Sequence, residues 1–246
     1  MNAYFTTITL ARTFTLAAAL LGVEQAQASI VIAGTRVVYP ASESEVTLKL
    51  SNEGSSPALV QVWTDKGDPA MTPTEEGGPF LVMPPIARVD PRKSQTLRIS
   101  YTGGELPQHR ESVFWLNVLD IPPKQNIEAD DANALQFAFR SRIKLFYRPA
   151  KLQGQPFDAP SQVIWRILDS GGKPNLEARN PSPYHVTFSA IHLGKSAVTD
   201  VGVMIAPGEI RLLPLQSRGE EGTVRYEAIN DFGGVVPGET SLQVEK

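Results

Sequence analysis

From Ser29 to the C-terminus the chain alternates apolar and polar residues with a period of two and shows almost no helical period. This confines it to an all-β fold. Candidate strands are 30–38 (IVIAGTRVV), 45–51, 58–64, 80–83, 94–101, 112–119 and a long run ending at 147, separated by turn segments such as NEGSSP, TPTEEGGP and DPRK. This many short strands punctuated by turns predict a β-sandwich of immunoglobulin type. After YRPAKLQGQPFDAP, where Pro149, Pro156 and Pro160 with Gly154 suit an exposed connection, the pattern resumes at 162–168, 185–193, 200–205, 210–215, 223–229 and 240–244. The expected architecture is two tandem sandwiches, with domains at 29–150 and 151–246.

The first 28 residues have a different character. FTLAAALLGV (14–23) is a short apolar run behind Arg12, followed by Ala26-Gln27-Ala28 as an A-x-A site, and it predicts a signal peptide cleaved after Ala28. A membrane span needs about 20 apolar residues, twice this run. Residues 29–246 suffice for two domains of about 100 residues, each with its own core. An exported chain with no cysteine takes its stability from packing rather than disulfides. The net charge of -3 gives no support to nucleic-acid binding.

The most unusual segment is ALQFAFRSRIKLFYRP (134–149). As a strand it places Leu135, Phe137, Phe139, Ile143, Leu145 and Tyr147 on one face, interrupted by Ser141, and Arg140, Arg142, Lys144 and Arg148 on the other. At about 3.3 Å per residue it would extend about 45 Å, against under about 20 Å for an ordinary strand. Ile143, Leu145 and Tyr147 are expected in the domain core. Leu135, Phe137 and Phe139 either join that core or project beyond it as a template for strand addition, in which backbone hydrogen bonds give affinity and alternate side chains fill a partner's pockets. Arg36 and Lys144 have two readings as well: solvated charges on an outer face, or a pair lining the cleft between domains and suited to a carboxylate.

Enzymatic signals are weak. Ser141-x-x-Lys144 matches a serine nucleophile motif in letters only, because that motif works on a helical turn and a strand puts the two residues on opposite faces. A secreted hydrolase acting through Ser141 is therefore the least favoured reading. His109, His185 and His192 lack metal-ligand spacing, and neither a nucleotide-binding loop nor a nucleophile elbow is present. No cofactor and no metal are expected. Pro84 and Pro85 are positions at which a cis bond would be at home.

GTRVVYP (34–40), PFLVMPPIARVDP (79–91), QTLRISY (95–101), RESVFWLNVLDIPP (110–123), RIKLFYRP (142–149) and AINDFGG (228–234), taken in this order, resemble the periplasmic pilus-assembly chaperones of the usher pathway, typified by PapD. The resemblance implies two immunoglobulin-like domains in a boomerang arrangement. It implies that the last strand of the first domain, about 134–148, lends Leu135, Phe137 and Phe139 to a pilin subunit lacking its final strand. It implies further that Arg36 and Lys144 anchor the subunit's terminal carboxylate, and that Glu111, Arg148 and Asp231 form an inter-domain ion-pair network. Implied partners are pilus or fimbrial subunits and an outer-membrane usher, without ATP or nucleic acid. A self-capping dimer of the unloaded protein is left open. The loop 122–133 is polar and moderately long and resembles the short-loop branch, although simpler or archaic fimbriae also fit; Phe137 and Phe139 are bulkier than the aliphatic residues common in the family. A secreted immunoglobulin-like adhesin or fibre component is the alternative.

Overall fold

The computed structural model describes residues 29–73, 77–123, 136–199, 201–216 and 222–243. The signal-peptide reading at 1–28 and Leu135 lie outside these residues. Among the described residues, no helix is long and apolar enough to cross a membrane.

The alternating pattern produces two pairs of sheets. In the first half, a four-stranded sheet has the order β1 (Ile30–Ile32), β3 (Val46–Asn52), β7 (Ser94–Tyr101), β5 (Phe80–Met83). It faces a five-stranded sheet of order β2 (Arg36–Pro40), β9 (Phe139–Arg148), β8 (Ser112–Ile121), β4 (Ala58–Asp65), β6 (Ile86–Val89). The run 30–38, expected as one strand, is two: Gly34 has φ 145°, a conformation L side chains rarely adopt, and there the chain leaves one sheet for the other. β1 pairs antiparallel with β3, whereas β2 pairs parallel with β9. The sandwich is closed by inward residues including Leu50, Val60, Leu97, Ile99, Leu116 and Leu145, all fully buried. Each contributes about 1.5–3 kcal/mol relative to exposure. An aromatic group of Tyr39, Phe80, Tyr101, Phe114 and Tyr147 packs at one end, with Tyr101 and Tyr147 centroids 4.8 Å apart. The Met83–Pro84 peptide is cis.

The second half begins with a short helix, α1 (Ala159–Gln162). A three-stranded sheet of order β10 (Ile164–Ser170), β11 (Lys173–Arg179), β15 (Ile210–Pro214) packs against β13 (Ser196–Thr199), β12 (Val186–Leu193), β16 (Thr223–Ile229), β17 (Val235–Ser241), with β14 (Val203–Ile205) also on β12. Trp165, Leu176, Phe188, Ile191 and Ile205 form its core, separate from the first. Sequence reading missed β6, β11 and β13, and placed the last strand at 240–244 where β17 ends at Ser241. β17 has no buried residue and carries Pro237 and Gly238, so its side chains give no strand signal. It is held by backbone pairing to β16.

The long strand is shorter than its alternation suggests. β9 starts at Phe139, and Gln136–Ala138 are described but not in a strand. The physical reason lies in its partner: β8 pairs with β9 up to Asp120 opposite Phe139 and ends one residue later, leaving residues before 139 without a ladder.

Candidate functional site

β2 and β9 run parallel with Arg36 opposite Lys144, followed by Val37 opposite Leu145 and Tyr39 opposite Tyr147. Valine, leucine and tyrosine face the core, so the two cations necessarily point the other way, toward the second sandwich. There the Arg36 Nη1 donates to the Ile229 carbonyl at 3.0 Å and its guanidinium lies 5.9 Å from the Phe146 ring centroid. Lys144 Nζ donates to Thr187 Oγ1 at 3.4 Å and sits 5.8 Å from the Trp115 ring. Burial, together with neighbouring Arg36, pulls the Lys144 pKa down from 10.5 to about 8. Burial also lowers that of Arg36, offset in part by Asp231 and Glu111. The Arg36 Nε is buried without a hydrogen-bond partner. Among the described residues, neither cation forms a salt bridge. Two half-buried cations held in register and short of acceptors have the charge and the free donors that an anionic oxygen group could pair with.

Beside them, Arg148 is fully engaged. Its Nε donates to Glu111 Oε1 at 2.6 Å, and its Nη1 and Nη2 donate to Asp231 at 2.7 and 2.9 Å. Burial would lower its pKa, but the hydrogen bonds and charges of Asp231 and Glu111 outweigh that and hold it above the ordinary arginine value. Glu111 is 4% exposed and also accepts from the His185 backbone N–H at 2.8 Å. Glu111 and Arg148 belong to the first sandwich and Asp231 and His185 to the second, so this network ties the two together. Between them opens a cavity of about 460 Å³ whose walls include Arg36, Phe146, Phe157, Tyr226 and Phe232.

The other end of β9 is open. Ile143, Leu145 and Tyr147 are buried, whereas Phe139, on the same face, is 60% exposed and Phe137 is 62% exposed. Ser141 shares that exposed face and alternates with Lys144, so the S-x-x-K letters make no serine–lysine pair. No group of three or more metal-ligating side chains occurs among the described residues. Sequence reading missed Thr187, the acceptor for Lys144, and Asp65 with Asn117 behind β9. A polar residue two positions after Trp63 and after Trp115 was the signal for Asp65 and Asn117, and Thr187 gave none.

Both halves of the chain have known relatives. The model for the PapD N-terminal domain of pili and flagellar-assembly chaperones matches residues 29–153, and that for the PapD C-terminal domain of pili assembly chaperones matches 158–240. The probable fimbrial chaperone YadV of Escherichia coli (strain K12) is 44% identical over 223 residues, covering 87% of this chain and 90% of that protein. The chaperone protein FimB/FhaD of Bordetella pertussis is also 44% identical over 223 residues, covering 88% and 89%. Among solved structures, the Pseudomonas aeruginosa CupB2 chaperone superposes with a TM-score of 0.73 at 37% identity, covering 87% of this chain and 100% of that one. The Salmonella enterica SafB chaperone, solved in complex with SafA pilin, superposes with a TM-score of 0.75 at 29% identity, covering 89% and 99%.

Proposed function

Because the chain belongs to the pili-assembly chaperone family typified by PapD, we propose that it works in the periplasm as a chaperone for pilus subunits. It lends the strand at about 134–148 to a subunit lacking its last strand and delivers that subunit to an outer-membrane usher. Leu135, Phe137 and Phe139 fill the subunit's groove, while Arg36 and Lys144 hold its terminal carboxylate. Glu111, Arg148 and Asp231 set the angle between domains 29–150 and 151–246. The family is one of chaperones rather than enzymes, and the relatives' names give no support to a fibre component.

One observation carries the reading. The parallel register places Arg36 beside Lys144 at the inner end of a strand whose outer end displays Phe139 uncovered on the core-facing side. Lys144 lies five positions after Phe139, about 17 Å of strand. A chain end fixed at the cations is thereby aligned so that its groove meets the exposed ring, and a slip of one residue would present the wrong face. An incomplete sandwich exposes a strand edge and core surface and aggregates unless both are covered. Burial of each bulky donated side chain contributes about 1.5–3 kcal/mol. The SafB–SafA complex of a related chaperone supports a pilin as the partner class.

The test is periplasmic co-expression with a pilus subunit, followed by co-purification and size exclusion. Wild type is expected to give a soluble one-to-one complex, and Arg36→Ala and Lys144→Ala to lose it. Capture that survives both substitutions contradicts the carboxylate anchor.

A further inference from the structure

The first half of β9 poses a physical difficulty. Its front face, at Phe139 and Ser141, is exposed, so core burial does nothing to hold residues 139–142 in place. Besides the backbone ladder to β8, the side chains of the back face are what fix these residues. Arg140 lies over Trp63 and Arg142 over Trp115, each with 4.8 Å from guanidinium to ring centroid. Arg142 Nη2 donates to both oxygens of Asp65 at 2.8 and 2.9 Å. Asn117 Nδ2 donates to Asp65 at 2.7 Å, while its Oδ1 accepts from Arg140 at 2.7 and 2.9 Å and from Arg142 at 3.1 Å. The Arg140 Nη1 donates to the Pro69 carbonyl at 2.7 Å.

At the centre is a carboxylate that no solvent reaches: Asp65 is 0% exposed, as is Asn117. Burial would raise the Asp65 pKa, yet the bonds from Asn117, the Gly67 N–H and Arg142 hold it below the usual carboxylate value. A buried ion pair of this kind adds little net stability over apolar packing, but it fixes geometry because each donor has one place to go. The three strands β4, β8 and β9 each contribute a member, so the network holds the free half of β9 against the sheet from behind.

We infer that Asp65, with Asn117, is a positioning group for strand donation: through Arg140 and Arg142 it holds residues 139–142 extended and in register while their front face is offered to a pilus subunit. This rests on the proposed donation by β9. The carboxylate touches no partner and acts only through the two arginines. The stack also accounts for the arginines of ALQFAFRSRIKLFYRP at 140 and 142, which anchor the strand rather than contact the bound pilin.

Amide hydrogen exchange of the full mature chain, wild type against Asp65→Asn, tests the inference. Exchange across 138–142 is expected to quicken at least tenfold while β3 and β7 are unchanged, and the yield of one-to-one complex with a co-expressed pilus subunit to fall. Arg36→Ala is expected to lose capture with exchange at 138–142 unchanged. Should Asp65→Asn not accumulate, Arg140→Ala leaves the Asp65–Arg142 pair intact and is read in the same way. Unchanged exchange at 138–142, or a uniform rise over the whole first sandwich, overturns the positioning role. A loosened strand in Asp65→Asn with full capture by Arg36→Ala contradicts the carboxylate anchor instead, so the two failures are distinct.

Discussion

Arg36 and Lys144 stand opposite each other across a parallel strand pair, half-buried, alike in charge and without a salt bridge to any described residue. Like charges brought together out of water oppose folding, and an arriving carboxylate reverses the sign of the interaction. On the proposed role as a carboxylate anchor, function and stability therefore pull against one another at this pair. Lys144→Met is expected to abolish the capture of pilins while leaving the urea midpoint of the free protein unchanged or raised. A fall in midpoint equivalent to more than about 1 kcal/mol would show that the cations serve the fold.

The same pair predicts a pH dependence. Lys144 has a folded pKa of about 8 against 10.5 unperturbed. Since the folded value is the lower, its charge disfavours the folded state below about pH 8, and that cost is relieved as pH rises from about 8 to 10.5. Capture runs the other way, because the carboxylate needs the protonated amine. Affinity is expected to fall above about pH 8, by up to about tenfold per unit. Isothermal titration at about pH 7 and about pH 9.5, on either side of that folded pKa, with a peptide matching the last residues of a pilin, measures this. Lys144→Arg is expected to flatten the profile.

Phe139 separates donation from stability most simply. At 60% exposure, its replacement by serine changes free-protein stability by no more than about 0.5 kcal/mol while the one-to-one complex is lost. Chemical denaturation and size exclusion of the same preparation give both quantities.

The inter-domain network predicts a graded series. Arg148→Ala strands the almost fully buried Glu111 and is expected to cost about 3 kcal/mol. Asp231→Ala removes a carboxylate that is one-third exposed and leaves the Arg148–Glu111 pair intact, with an expected cost of about 1 kcal/mol. Urea unfolding of the two variants gives the order; equal costs would contradict the burial argument.

How much of this was legible in the sequence depended on what fixed each element. Strands with one buried face, such as β3, β4, β7, β8 and β12, advertise themselves by alternation. β17 has no buried residue and was misplaced, and the break at Gly34 was hidden because apolar residues lie close on both sides, at 30–33 and at Val37 and Val38. In the site, Arg36 and Lys144 were legible as cations in apolar strands, but only the parallel register sets them side by side. The role of Arg140 and Arg142 was not legible, since it depends on Asp65, 77 residues before Arg142 and brought adjacent by the β4–β8–β9 order. The extent of β9 was overestimated for a related reason: side-chain alternation continues to Leu135, but the pairing partner ends at Ile121.

The central claim is that the exposed start of β9 enters a pilus subunit. The chain has no cysteine, so Ser141→Cys, exposed on the same face of β9 as Phe139, carries a single thiol for an environment-sensitive fluorophore while leaving Phe139 in place, and Val31→Cys, exposed on β1, provides a remote control. On addition of an unfolded pilin under refolding conditions, emission from position 141 is predicted to shift to the blue and saturate at one pilin per chaperone, with no shift from position 31. A one-to-one complex in which the label at 141 remains as water-exposed as before would contradict strand donation.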